Sequence, residues 1–98
     1  MYGNPQRRTN SDVQEMRREG GRWLRELREK AGLSQRELAL LVHTDYYTFV
    51  SQLENGRGRI PPDRYYAWAQ ALRVEPREFV KMLMKYYDPV TFEILFSE

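Results

Sequence analysis

Cysteine is absent from this 98-residue chain, and histidine occurs once, at His43. The first absence excludes a disulfide framework and any cysteine-ligated metal. The second excludes a multi-histidine metal centre. No apolar run approaches the ~20 residues that a bilayer span needs. The N-terminal stretch "MYGNPQRRTNSD" has no apolar segment of the signal-peptide kind. A soluble, cytoplasmic protein without membrane association is therefore expected. No glycine-rich phosphate loop lies between a strand and a helix, so an enzyme is not expected. Neither is a cofactor, a metal or a small-molecule ligand. Internal repeats and low-complexity tracts are also missing.

The length suits one domain with a single small core. Net charge is only +2, but the basic residues are unevenly spread. Residues 1–59 hold eleven Arg and Lys against eight Asp and Glu, and residues 60–98 hold five against six. Arginine far outnumbers lysine, and its planar fork suits phosphates and base edges. This balance is compatible with nucleic-acid binding.

Residues 1–10 are polar and read as a disordered arm. From Ser11 onward the periodicity is helical. Trp23, Leu24, Leu27 and Ala31 recur at spacings of three and four. Gly20-Gly21 costs about 1 kcal/mol per glycine inside a helix. The main first helix is therefore expected at 21–31, with 11–19 as a separate or bent turn, and Gly32 as the stop. A second helix is expected at 34–42. Ser34 and Glu37 form a capping box, and Leu33 and Leu38 a hydrophobic staple. A third is expected at 45–54, with Asp45 as N-cap and Asn55-Gly56 as the close. The aromatic and β-branched residues there could suit a strand, but adjacent Phe49 and Val50 break the alternation. Pro62 fits the first position of a fourth helix, whose buried face reads as Tyr65, Tyr66, Ala69 and Leu72, with Trp68 at its margin. A fifth opens at Pro76 and runs to about Tyr87. Asp88-Pro89 then caps a short segment, "VTFEILF". The fold class is all-α: a compact bundle of about five helices with a short C-terminal helical extension. It divides into a 1–10 arm, an 11–87 domain and an 88–98 extension.

Two short helices joined by a tight turn, 34–42 and 45–54, have helix-turn-helix geometry. In that motif the second helix enters the major groove of DNA. Its outward positions here are Tyr47, Thr48, Ser51, Gln52 and Asn55, all able to exchange hydrogen bonds with base edges. Arg57 and Arg59 follow the helix where a phosphate would pass. Gln35 and Arg36 occupy the first turn of the preceding helix, where free N–H groups favour a phosphate. The plainer alternative is half-buried tyrosines beside solvated polar groups.

The segments "LSQRELALLV" and "VSQLENG" resemble the lambda-repressor/Cro-like helix-turn-helix family, often called XRE. "AWAQALRVEPREF" looks like that family's fourth helix and the start of its fifth. The resemblance covers about residues 20–80. It implies a five-helix bundle that binds operator DNA, usually as a dimer. It also implies a phosphate contact for Gln35, base reading by the helix after the turn, and a structural role for Glu54 toward backbone or an arginine. The sequence departs from the pattern near His43-Thr44, where the usual turn glycine is replaced and the segment is one residue longer. One of Tyr46 and Tyr47 is then expected in the core and the other, Tyr47, outward. His43 reads as a turn residue.

On a helical wheel, the apolar residues of 77–87 cover about 200° of arc, against a little over ~100° for one buried stripe. The surplus, Met82, Met84 and Tyr87, together with Phe92, Leu95 and Phe96, is expected to form a dimer contact. The alternative is a tail that folds back to complete its own core. The function expected is a sequence-specific transcriptional regulator, a repressor binding a palindromic operator as a homodimer. The competing reading is an antitoxin-like protein-interaction module that also binds its own promoter.

Overall fold

Gly20 and Gly21 do not interrupt the first helix: α1 runs unbroken over Asn10–Lys30. The computed structural model describes residues 10–44 and 46–97. The other elements are α2 (Gln35–Leu41), α3 (Tyr47–Glu54), α4 (Tyr65–Leu72), α5 (Pro76–Tyr87) and α6 (Pro89–Phe96), with a 3₁₀ turn at Pro62–Arg64 leading into α4. No strand occurs among the described residues, and the all-α bundle is as expected. The arm expected over residues 1–10 lies, apart from Asn10, outside the described residues, as does Asp45, the expected N-cap.

The expected break at 19–21 fails for a packing reason. A Cβ on Gly21 would sit 2.7 Å from the carbonyl carbon of Glu54 and 2.8 Å from the carbonyl oxygen of Leu53. A Cβ on Gly20 would sit 2.9 Å from Cβ of Tyr86. The pair lets α1 lie directly against the end of α3 and against α5. Close approach, not a turn, is what these glycines provide. Surface pairs along the helix, Glu15–Arg18 and Arg25–Glu29, stand at the spacings of three and four that bring side chains together on its exposed side.

α2 starts as expected. Ser34 Oγ accepts from the Glu37 N–H at 3.1 Å, and Glu37 Oε1 accepts from the Ser34 N–H at 2.8 Å. After Val42, His43 takes a left-handed conformation, φ +59°. This is the place where glycine would be unstrained, and a side chain costs about 1–2 kcal/mol there. α3 begins at Tyr47, two residues later than expected, and Tyr46 precedes it without a side-chain cap. Neither tyrosine is core: both are exposed. Phe49, Val50 and Leu53 carry the burial instead.

The buried face of α4 also needs correction. Trp68 is 2% exposed and Tyr66 is 80% exposed. Tyr65, Trp68, Ala69 and Leu72 stand at i, i+3, i+4 and i+7, the inward stripe of one helix. Tyr66 falls outside it. Glu75 caps α5 by accepting from the N–H groups of Arg77 and Glu78. Leu24, Leu38, Val50, Ile60, Trp68, Phe79 and Leu83 meet in one core drawn from α1 to α5 and the α3–α4 loop. Ile60 is fully buried and pins that loop, at a gain of ~1.5–3 kcal/mol for such a side chain. α6 packs on α5 and buries none of its own residues.

Gly21→Ala is expected to destabilise the protein by about 1–3 kcal/mol, despite a helix-propensity gain of about 1 kcal/mol. Urea unfolding of both proteins measures this. Stabilisation, the ordinary outcome for glycine in a helix, would mean that α1 and α3 do not touch at this point.

Candidate nucleic-acid interface

α2 and α3 pack against each other, and the first turn of α2 reaches the end of α3 through Gln35. The inward side of α3 carries Val50 and Leu53, and also Glu54, which is buried. Arg28 on α1 donates to Glu54 twice, Nε to Oε2 at 2.6 Å and Nη2 to Oε1 at 3.1 Å. A third donor is Gln35 Nε2, 3.0 Å from Glu54 Oε1. Arg28 Nη1 also donates to the Leu33 carbonyl at 2.8 Å. The hydrogen bond to Glu54 raises the Arg28 pKa, against the opposing effect of burial. Glu54 thus has the arginine partner that the resemblance implied. Arg28 itself escaped sequence reading. The available signal was its place one turn beyond Leu24, on the buried side of α1.

The outward side of α3 is polar. Tyr47, Thr48, Gln52 and Asn55 are exposed and Ser51 is half-buried. Among the described residues, the side chains of Thr48, Ser51 and Gln52 have no hydrogen-bond partner within the protein. Asn55 differs, since its Nδ2 donates to the Ser51 carbonyl at 3.0 Å and caps its own helix. Arg36 stacks over the Tyr47 ring, 4.6 Å from its centroid, which joins the start of α2 to the start of α3. Such stacking contributes ~0.5–1 kcal/mol at an exposed site. Tyr46, expected in the core, is instead 72% exposed beside this face.

The remaining expected phosphate ligands separate. Gln35 is half-buried, with its amide nitrogen already held by Glu54. Arg57 is exposed, and among the described residues its side chain has no partner. Arg59 points elsewhere: it pairs with Asp88 at 2.8 Å and lies over the Tyr87 ring at 4.9 Å, at the junction of α5 and α6. Its guanidinium is committed within the fold.

The helix-turn-helix family model matches residues 24–79, more than half of the chain. The chain belongs to the XRE-type helix-turn-helix family. Among solved structures this XRE-type chain is similar to the restriction-modification controller protein C.AhdI from Aeromonas hydrophila. The two are 36% identical, with a TM-score of 0.56, over 70% of this chain and 97% of that one. A comparison with curated proteins finds no match. The XRE-type chain is a DNA-binding transcriptional regulator. Among its described residues no helix is long and apolar enough to cross a membrane. The match leaves outside it residues 10–23 of α1 and everything after residue 79.

In that C-terminal part, the expected dimer residues also separate. Met82, Met84 and Phe92 are half-buried, and Leu95 and Phe96 are exposed. Phe92 and Phe96 stack with centroids 5.3 Å apart, and Lys81 lies 4.9 Å over Phe96. Tyr87 must be removed from the set. It is a core residue whose hydroxyl accepts from the Ile60 N–H at 3.3 Å, and the guanidinium groups of Arg17 and Arg59 both lie over its ring. The wheel could not exclude it, because its partners come from the loop and from α1.

Burial pushes the Tyr87 phenol up, opposed by the Ile60 hydrogen bond and the two arginines. A phenol raised in the fold contributes stability that is fully present below its unfolded value of ~10 and is lost as pH rises through the folded value. Tyr87→Phe is expected to cost about 1 kcal/mol at pH 7 by losing the hydrogen bond. It should also reduce the loss of stability above pH ~10. Urea titrations at neutral and alkaline pH check both. Equal alkaline sensitivity in the variant would assign that loss to other groups.

Proposed function

We propose that the chain is a repressor of the restriction-modification controller kind, acting in the cytoplasm on a palindromic operator as a homodimer. The observation that carries this reading is the outer side of α3. Tyr47, Thr48, Ser51 and Gln52 stand unburied or half-buried, with Arg36 and Arg57 at either end. Glutamine can bond adenine through two hydrogen bonds, and hydroxyls serve several bases. Arg36, Arg57 and the remaining N–H of Gln35 would hold phosphates, which fix register without reading sequence. Asn55 and Arg59 have smaller parts, since each is already bonded within the fold. Similarity to C.AhdI over nearly all of that chain supports a controller role in restriction-modification. Occupying promoter DNA is the simplest action for such a domain, hence a repressor.

The dimer reading rests on the extension, residues 88–98, with α5. Ile94, Leu95 and Phe96 are 75%, 61% and 41% exposed, beside half-buried Met82 and Met84. A self-complementary contact there would bury them around a two-fold axis. Two α3 helices about 34 Å apart would then face successive major grooves.

Selection of bound sequences from a random DNA pool, followed by titration against the selected and a scrambled duplex, tests the operator. A palindromic motif bound ~10³-fold or more tightly than the scramble is expected. Gln52→Ala should cost about 1–3 kcal/mol on that site and relax one of its positions. Arg57→Ala should weaken all duplexes alike and reduce the salt slope by about one. Equal affinity for both duplexes across a range of salt would remove the regulator reading.

Light scattering tests the assembly. The full chain should have the mass of a dimer at micromolar concentration, and the pair Ile94→Glu and Leu95→Glu that of a monomer. Both positions lie away from the Arg59–Asp88 pair, so the fold should survive. A monomeric full chain would move the apolar surface to a foreign partner, as in the antitoxin-like reading.

A further inference from the structure

The family match begins at residue 24, yet α1 starts at Asn10, almost four turns earlier. These early turns are docked against the end of α3. Gly56, at φ +83°, lies on the α1 backbone so closely that a Cβ there would be 2.9 Å from the Arg18 nitrogen. Arg17 Nη1 donates to the Gly58 carbonyl at 3.2 Å, and its guanidinium lies over Tyr87. The early turns of α1 and the loop after α3 therefore act as one unit.

Between them lies a polar cleft of about 570 Å³, lined by Gln14, Arg18, Asn55, Gly56 and Arg57. Two arginines from different elements line it, and no carboxylate is among the lining residues. Arg57 has no side-chain partner among the described residues. Arg18 is held at 3.2 Å by Glu15, which also binds Arg22 at 3.3 Å. All of these side chains are about half exposed, so exchange of one anion for another is cheap. Glu15 is held below the usual carboxylate range by its hydrogen bonds from Arg18 and Arg22, so it stays charged at neutral pH.

We propose that this cleft is a second DNA-contact site, outside the helix-turn-helix itself, that grips a backbone phosphate between Arg18 and Arg57. Gln14 supplies a neutral donor, and Glu15 is the internal anion that the phosphate displaces from Arg18. The proposal rests on the reading of α3 as the groove-binding helix, because the cleft adjoins the end of α3 and a strand lying along that helix passes it. A guanidinium fork matches phosphate geometry. One neutralised phosphate releases about 0.9 counterions, which sets the size of the effect.

Titration of the full chain with the selected operator, at several salt concentrations, tests it. Arg18→Ala should weaken binding about 3- to 10-fold near 0.1 M salt, reduce the salt slope by about one, and leave the preferred sequence unchanged. Arg25→Ala removes another exposed arginine of α1, one paired with Glu29, and should change nothing. Glu15→Gln should strengthen binding, and that gain should vanish in the Arg18→Ala background. Operators carrying a single neutral methylphosphonate should show one linkage per half-site that matters to the wild type and not to Arg18→Ala. An Arg18→Ala protein with unchanged affinity and slope, or a Glu15→Gln gain that persists without Arg18, would overturn the proposal while leaving the α3 reading intact. A wild-type protein that does not prefer the selected operator would overturn both, and the wild-type titration alone reveals it.

Discussion

The Glu54 carboxylate is where three helices are joined. Arg28 reaches it from α1 and Gln35 from α2, while Glu54 itself ends α3. Taking such a pair out of water costs several kcal/mol per ion, so the bridge is not a simple gain in stability. Its effect is positional. With Arg28 removed, Glu54 would be a buried charge without its counter-ion, and such losses cost about 3–5 kcal/mol. The helices are thereby held in an arrangement that brings Arg28 and Gln35 together onto the one carboxylate. Among the described residues no buried side-chain nitrogen or oxygen lacks a partner.

That arrangement sets the geometry of the DNA-facing side. Gln35 sits in the first turn of α2, and its amide is oriented by the carboxylate that also closes α3. Arg36, one residue on, stacks on Tyr47 at the other end of α3. α2 therefore grips α3 at both ends, once through a half-buried hydrogen bond and once through an exposed stack. Gly21 completes the frame by letting α1 meet the carbonyls of Leu53 and Glu54 directly. Each contact is short, and each would be lost by a shift of about one side-chain radius. A rigid frame of this sort keeps groups on the outer face of α3 available without asking them to hold the fold.

A division of labour follows along the chain. The middle, residues 24–79, is the part shared with the family. The early turns of α1 add Gln14 and Arg18 beside the end of α3. At the other end, α6 adds an apolar surface whose inner residues rest on α5 while Ile94 and Leu95 face outward. Arg59 and Asp88 tie that extension back to the loop after α3. The two additions differ in chemistry because they face different things: one is polar and cationic, the other apolar.

Local chemistry was legible in the sequence. The Ser34–Glu37 box, the helical periods and the polar outer side of α3 follow from residues at most four positions apart, and neighbours on one helix need no tertiary partner. So the α2 start, the all-α class and the family could be read directly. Where the reading failed, the deciding partner was distant in sequence. Gly20 and Gly21 resemble a break until Glu54 and Tyr86 are seen against them. Tyr87 looks like a surface residue until the loop encloses it, and Arg59 looks like a free cation until Asp88 pairs with it. Trp68 looks marginal until the core closes over it. The arginines show the division most clearly. Sequence alone identified a basic N-terminal portion, but a guanidinium has the same local signature whether it is buried on a carboxylate like Arg28, stacked like Arg36 or, among the described residues, without a partner like Arg57. Only the fold assigns those roles, because each depends on which anion or ring another helix brings within about 4 Å.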